Sequence, residues 1–82
     1  MKLFYSARFQ KSFRRAPTSV QKTFAKKANL LMQNLQHPSL RAKKYDEANN
    51  IWQARVNKDW RFYFSIEGDE YWLHDIVAHP KW

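Results

Sequence analysis

The chain contains no cysteine, so neither a disulfide framework nor thiolate chemistry is open to it. Its one glycine, Gly68, cannot build a Gly-rich loop around a phosphate, which removes the commonest nucleotide-binding motifs. The three histidines, His37, His74 and His79, lack the close spacing of metal ligands, so no zinc site and no cofactor is expected. Ser, His and Asp residues occur, but in no arrangement that reads as a hydrolase triad. No apolar run approaches the roughly 18 residues of a membrane span. The opening "MKLFYSARF" reaches Arg8 before an apolar stretch develops, so no signal peptide is expected either. These absences lead to the expectation of a soluble cytoplasmic protein with no membrane partner.

Carboxylates are the most informative shortage. Residues 1–45 hold eleven Lys and Arg and not one Asp or Glu, whereas residues 46–82 hold four basic and seven acidic residues. The formal net charge of +8 is therefore concentrated in one half. A half-chain that cannot neutralise itself attracts polyanions, an acidic protein, or both. A solvated basic helix surface is the plainer alternative.

What is present suits one globular domain spanning residues 1–82. Hydrophobic residues make up 44% of the 82, enough for a single core. "KLFYS" has the pattern of a short first strand. In "ARFQKSFRRA", Phe9 and Phe13 lie one helical turn apart, until Pro17 interrupts. Thr18 and Gln21 have capping-box spacing. Val20, Phe24, Ala28, Leu31 and Leu35 then predict an amphipathic helix of roughly 18 residues, ending near His37-Pro38. "SLRAKKYDEANN" reads as a loop with room for a short strand. From Ile51 the period changes to two: "IWQARV", "WRFYFSI" and "YWLHDIV" read as strands, joined by "NKD" and "EGDE". The expected architecture is α+β: a short N-terminal strand, a helical hairpin, then an antiparallel β-meander with the helices packed on one face. The other face is left to solvent or to a ligand.

Alternation puts Trp52, Ala54 and Val56 with Trp60, Phe62, Phe64 and Ile66 on the apolar face. Gln53, Arg55, Arg61, Tyr63 and Ser65 share the opposite one. A three-residue "NKD" loop sets Arg55 directly across from Arg61, an arrangement of like charges that favours an anion above them or two side chains splayed into water. The next hairpin allows two registers. A four-residue loop pairs Tyr63 with His74 and Arg61 with Ile76, leaving Asp75 on the apolar side. A three-residue loop pairs Arg61 with Asp75 and turns His74 into the core. Arg55 and Arg61 are suited to gripping phosphate oxygens bidentately. Lys43 and Lys44 add charge, Tyr63 and Trp82 offer rings for bases, and His79 titrates in the range useful for proton transfer. Such parts suit metal-free RNA cleavage, in which a ribose 2′-OH attacks the neighbouring phosphate.

With these residues in view, the chain resembles the RelE/ParE superfamily of toxins from bacterial type II toxin–antitoxin systems. The resemblance covers nearly the whole chain and is strongest over "IWQARVNKDWRFYFSIEGDEYWLHDIVAHP", with "LRAKKYDEANNIW" before it. The pattern is an aromatic, a basic strand, a short turn, an aromatic-Arg-hydrophobic-Tyr strand and a last strand leading to a histidine. The resemblance to the RelE, YoeB, YafQ and HigB-like branch implies an endoribonuclease that cuts messenger RNA in the ribosomal A site. It implies catalytic roles for Arg61, Arg55 and His79, and RNA contacts from Lys43, Lys44, Gln53, Tyr63 and Trp82. Gln53 stands where RelE itself has a lysine, and no carboxylate aligns as a general base. The implied partners are messenger RNA, the ribosome, and an antitoxin whose acidic segment covers the basic surface. The ParE branch, which shares the fold and inhibits DNA gyrase without cleaving RNA, is the alternative.

Overall fold

The computed structural model describes residues 2–78. Within them, strand β1 (Lys2–Tyr5) leads into helices α1 (Ala7–Arg15) and α2 (Thr18–Gln33). A single 3-10 turn (Pro38–Leu40) is followed by strands β2 (Lys43–Asp46), β3 (Ile51–Arg55), β4 (Trp60–Glu67) and β5 (Glu70–Ala78). The strands form one sheet in the order β1-β5-β4-β3-β2. All neighbours are antiparallel except β1 and β5, which run parallel. The expected α+β architecture is therefore the observed one.

The helices cover one face of the sheet because their apolar residues recur at helical spacing. Phe9, Val20, Phe24, Ala28 and Leu31 are buried against Ala54, Phe62, Phe64, Leu73 and Ile76. Phe24 sits at the centre, its ring 5.2 Å from Phe9 and 5.1 Å, edge-on, from Phe62. Edge-to-face rings at this separation add to the 1.5–3 kcal/mol or so that burying each such side chain contributes.

Two local expectations need correction. Thr18 and Gln21 form no capping box: α2 follows Pro17 directly, with no side-chain cap. The Gln21 amide instead donates to the Phe13 and Ala16 carbonyls, at 2.8 and 3.2 Å. It thus serves carbonyls at the end of α1, where Phe13 otherwise accepts only from the Ala16 N–H, at 3.1 Å. And α2 stops at Gln33, short of His37-Pro38, because Asn34 adopts an extended backbone (φ −161°) and its side chain accepts from the Gln36 N–H. Asn competes for backbone partners in this way and so ends helices.

Candidate functional site

The face of the sheet away from the helices is divided in two. At the β1–β5 end, Phe4 stacks on Trp72 with ring centroids 4.7 Å apart. Ser65 is buried there and hydrogen-bonded to His74 Nε2 at 2.9 Å. The β2–β3–β4 end is open and basic.

That open end is built by the β3–β4 hairpin. Val56 N–H donates to the Trp60 carbonyl, closing a loop of Asn57, Lys58 and Asp59. Asn57 Oδ1 accepts from the backbone N–H groups of Asp59 and Trp60, at 2.8 and 2.9 Å, fixing the turn as Asn side chains do. The three-residue loop expected from "NKD" is present, and Arg55 lies directly across from Arg61. Arg61 Nη1 donates to the carbonyls of Asn57 (2.6 Å) and Trp60 (3.0 Å). These acceptors orient the guanidinium without cancelling its charge. Among the described residues, no carboxylate lies within ion-pair distance of Arg55 or Arg61. Arg41, Lys43 and Gln53 join the two arginines around a concavity of about 200 Å³. Arg41 is held there in a left-handed conformation (φ 47°) at the end of the 3-10 turn.

The second hairpin takes neither regular register throughout. Near the turn, where Gly68 has φ +60°, Ile66 pairs with Tyr71 and Phe64 with Leu73. Between Tyr63 and Phe64 the register shifts, so that Tyr63 faces Asp75, Phe62 faces Ile76 and Arg61 faces Val77. His74 is the extra residue of a β-bulge. The bulge lets Leu73 and Ile76 both reach the core while His74 and Asp75 both turn to the other face. Asp75 is therefore not the partner of Arg61. Its ion pair is with Arg8, Nε to Oδ2 at 3.9 Å.

The structure brings together Arg55, Arg61, Lys43 and Gln53. Gln53 Nε2 donates to the Tyr63 hydroxyl at 3.0 Å, linking Tyr63 to them. Lys44 is not in the group. It pairs in register with Trp52, and its ammonium lies 5.1 Å from the Trp52 ring, on the apolar side. His79 and Trp82 lie outside the described residues. Arg41 and Tyr45 reach this face without having been assigned a site role from the sequence, and so do His74 and Asp75, of which each expected register brought only one to this face. For the last two a signal existed: the core positions run Tyr71, Leu73, Ile76, and the step of three marks the bulge.

The chemistry on offer is anion binding. Three forked guanidiniums and an ammonium line one shallow cleft, and charge-assisted bonds to phosphate oxygens are the strong kind. Among the described residues no cluster of three or more metal-ligating side chains occurs, and no helix is long and apolar enough to cross a membrane.

No protein-family model matches the chain, and no curated protein matches it in sequence. Solved structures do. A YoeB/ParE toxin from Agrobacterium tumefaciens superposes with a TM-score of 0.81 at 12% identity, covering 98% of this chain and all (100%) of that one. A chain of the archaeal RelE–RelB complex from Pyrococcus horikoshii OT3 gives 0.81 at 12% identity, covering 99% and 97%. YafQ from E. coli strain BL21(DE3) gives 0.78 at 17% identity, covering 94% and 91%. The protein has the fold of these toxins.

Proposed function

We propose that this RelE-like domain is the toxin of a type II toxin–antitoxin system, and that it cleaves messenger RNA on the ribosome. The observation that carries the proposal is the Arg55–Arg61 pair, two like charges held opposite each other beside Lys43 in one cleft. Such a pair disfavours the sheet unless an anion binds, and a phosphodiester is an anion of suitable shape.

In the proposed reaction the ribose 2′-OH gives up its proton to water as its oxygen bonds to phosphorus, and the P–O5′ bond breaks. A 2′,3′-cyclic phosphate and a free 5′-hydroxyl result. Arg61 and Arg55 stabilise the charge that accumulates on the phosphoryl oxygens. His79 supplies the proton to the departing O5′. Lys43, Gln53 and Tyr63 hold the strand alongside, and no metal takes part. An acidic antitoxin segment would neutralise the same basic surface. Exposed Lys11, Arg14, Arg15, Lys22 and Lys26 on the helices give such a segment further basic surface, with no acid in residues 1–45 to compete.

The test is cleavage mapped on translated messages in cells expressing the wild type, Arg61→Ala, Arg55→Ala or His79→Ala. Each variant is expected to lose cutting by tenfold or more, an order set by the roughly 10²–10⁴-fold worth of such groups. Full-rate cutting by Arg61→Ala removes that residue from the mechanism. Intact messages together with DNA-damage signalling replace the proposal by gyrase inhibition.

A further inference from the structure

A second concavity, of about 540 Å³, adjoins the basic cleft on the same sheet face, and of its lining only Tyr63 figures in the cleavage chemistry above. Tyr45, Tyr63, His74, Asp75 and Arg8 line it. The two clefts share a wall, because the Tyr63 ring that borders one is hydrogen-bonded through its hydroxyl to Gln53 of the other. A strand whose phosphate lies on Arg55 and Arg61 therefore has a place beside it for a base.

The lining is specific. Tyr45 is 61% exposed although it is large and aromatic, and its ring meets Tyr63 edge-on at 5.0 Å. An aromatic left open at the mouth of a cleft is a stacking platform for an unpaired base. The floor carries a carboxylate and a guanidinium side by side. Asp75 Oδ1 accepts from the Ile76 N–H at 2.9 Å, which fixes the side chain, and each carboxylate oxygen retains a free lone pair. Arg8 lies 3.9 Å from Oδ2 and is 81% exposed, so this contact is weak and easily rearranged. Together they present acceptors next to donors.

That order decides among the bases. Guanine alone carries two adjacent donors, N1–H and the N2 amino group, beside an acceptor, O6. Adenine and cytosine each set one donor against a ring acceptor, and uracil flanks its one donor with carbonyls. Adenine and cytosine can set that donor on Asp75 and the ring acceptor on Arg8, but they leave the second carboxylate oxygen unused, whereas guanine fills both. We propose that the cleft formed by Tyr45, Tyr63, Asp75 and Arg8 is a nucleobase subsite that selects guanine next to the bound phosphate. Asp75 takes N1–H and N2–H, and Arg8 donates to O6. His74, tied to Ser65 at 2.9 Å, closes the far wall.

The inference rests on the RNA assignment of the neighbouring cleft, and its test separates the two. Short 2′-O-methyl oligonucleotides, which cannot be cleaved by 2′ attack, are compared by fluorescence anisotropy with only the central base varied. Guanine is expected to bind at least about fivefold tighter than each other base, the lower end for a good bidentate base contact. Asp75→Asn keeps an oxygen for the Ile76 N–H but replaces an acceptor with a donor, and should bring the ratio to about one. Arg8→Gln, at an exposed position, should lower the ratio in part. Equal binding of all bases overturns the proposal, as does a guanine preference that survives both substitutions. No binding at all removes this subsite and the RNA assignment together. A guanine preference without cutting of translated messages removes only the ribonuclease.

Discussion

Replacing Arg55 with Gln is expected to make the protein more stable and worse at holding RNA. Arg55 and Arg61 are direct cross-strand partners. Pairs in this position interact on a scale of about 0.2–1 kcal/mol, with the sign unfavourable for like charges. Arg55 is the partner to remove. Among the described residues its side chain makes no hydrogen bond, whereas Arg61 Nη1 secures the carbonyls of Asn57 and Trp60. Glutamine keeps part of the aliphatic stem and drops the charge. For a domain of this size, about 1 kcal/mol moves the melting temperature by roughly 4–8 °C, so the gain falls between about 1 and 8 °C. Thermal melts followed by circular dichroism in low and high salt are the assay. Screening contracts from about 30 Å at 0.01 M to about 3 Å at 1 M salt, and the difference between variant and parent should shrink with it. A variant that melts below its parent in low salt refutes the like-charge argument. So does a gain indifferent to salt, which would point to side-chain packing instead.

Gln21→Ala should destabilise the domain by about 1–2 kcal/mol in urea titrations, since its amide serves two carbonyls at the α1–α2 corner, while Thr18→Ala should have little effect because no cap bond is lost. Asp46 is held below its ordinary value of 3.8, first by the Asn49 side chain and then by the Asn49 backbone N–H. A depressed folded value stabilises the native state above the unfolded pKa, and that contribution is lost as pH falls through the folded one. Acid titration followed by NMR should show the Asp46 midpoint below 3.8 and returning towards it in Asn49→Ala.

How much of this was legible in the residues depends on how regular each stretch is. The apolar stripe from Val20 to Leu35 and the alternation from Trp60 to Ile66 are long periodic signals; β4 lies where its pattern puts it, and α2 follows its stripe as far as Gln33, short of Leu35. The Arg55–Arg61 apposition followed from one loop length, which Asn57 enforces. The second hairpin resisted because both candidate registers assumed an unbroken ladder. The His74 bulge satisfies demands that no unbroken ladder meets: Leu73 and Ile76 inward, Asp75 outward. Lys43 and Lys44, which sequence proximity had grouped, are parted by plain strand alternation: Lys43 pairs with Gln53 and Lys44 with Trp52, on opposite faces. An irregularity of one residue leaves little trace in composition, yet the one at His74 decided that Asp75 does not face Arg61. The helix-end corrections have the same origin, in local side-chain bonds from Gln21 and Asn34 that compete with the expected ones.

The parallel pairing of β1 with β5 has a consequence for how the chain assembles. Lys2 meets Glu70 and Tyr5 meets Leu73, and the Ser6 hydroxyl donates to the His74 carbonyl across 68 positions of sequence. The hairpins of β3, β4 and β5 close through short turns and can form early, whereas β1 waits for the strand made last among the described elements. Until then the apolar stripes of α1 and α2 have only part of a sheet to rest on, and the basic half of the chain is displayed without its acidic counterpart. Newly made protein is in that state at its most adhesive, towards nucleic acid and towards other chains. Completion of β5 is the event that ends it.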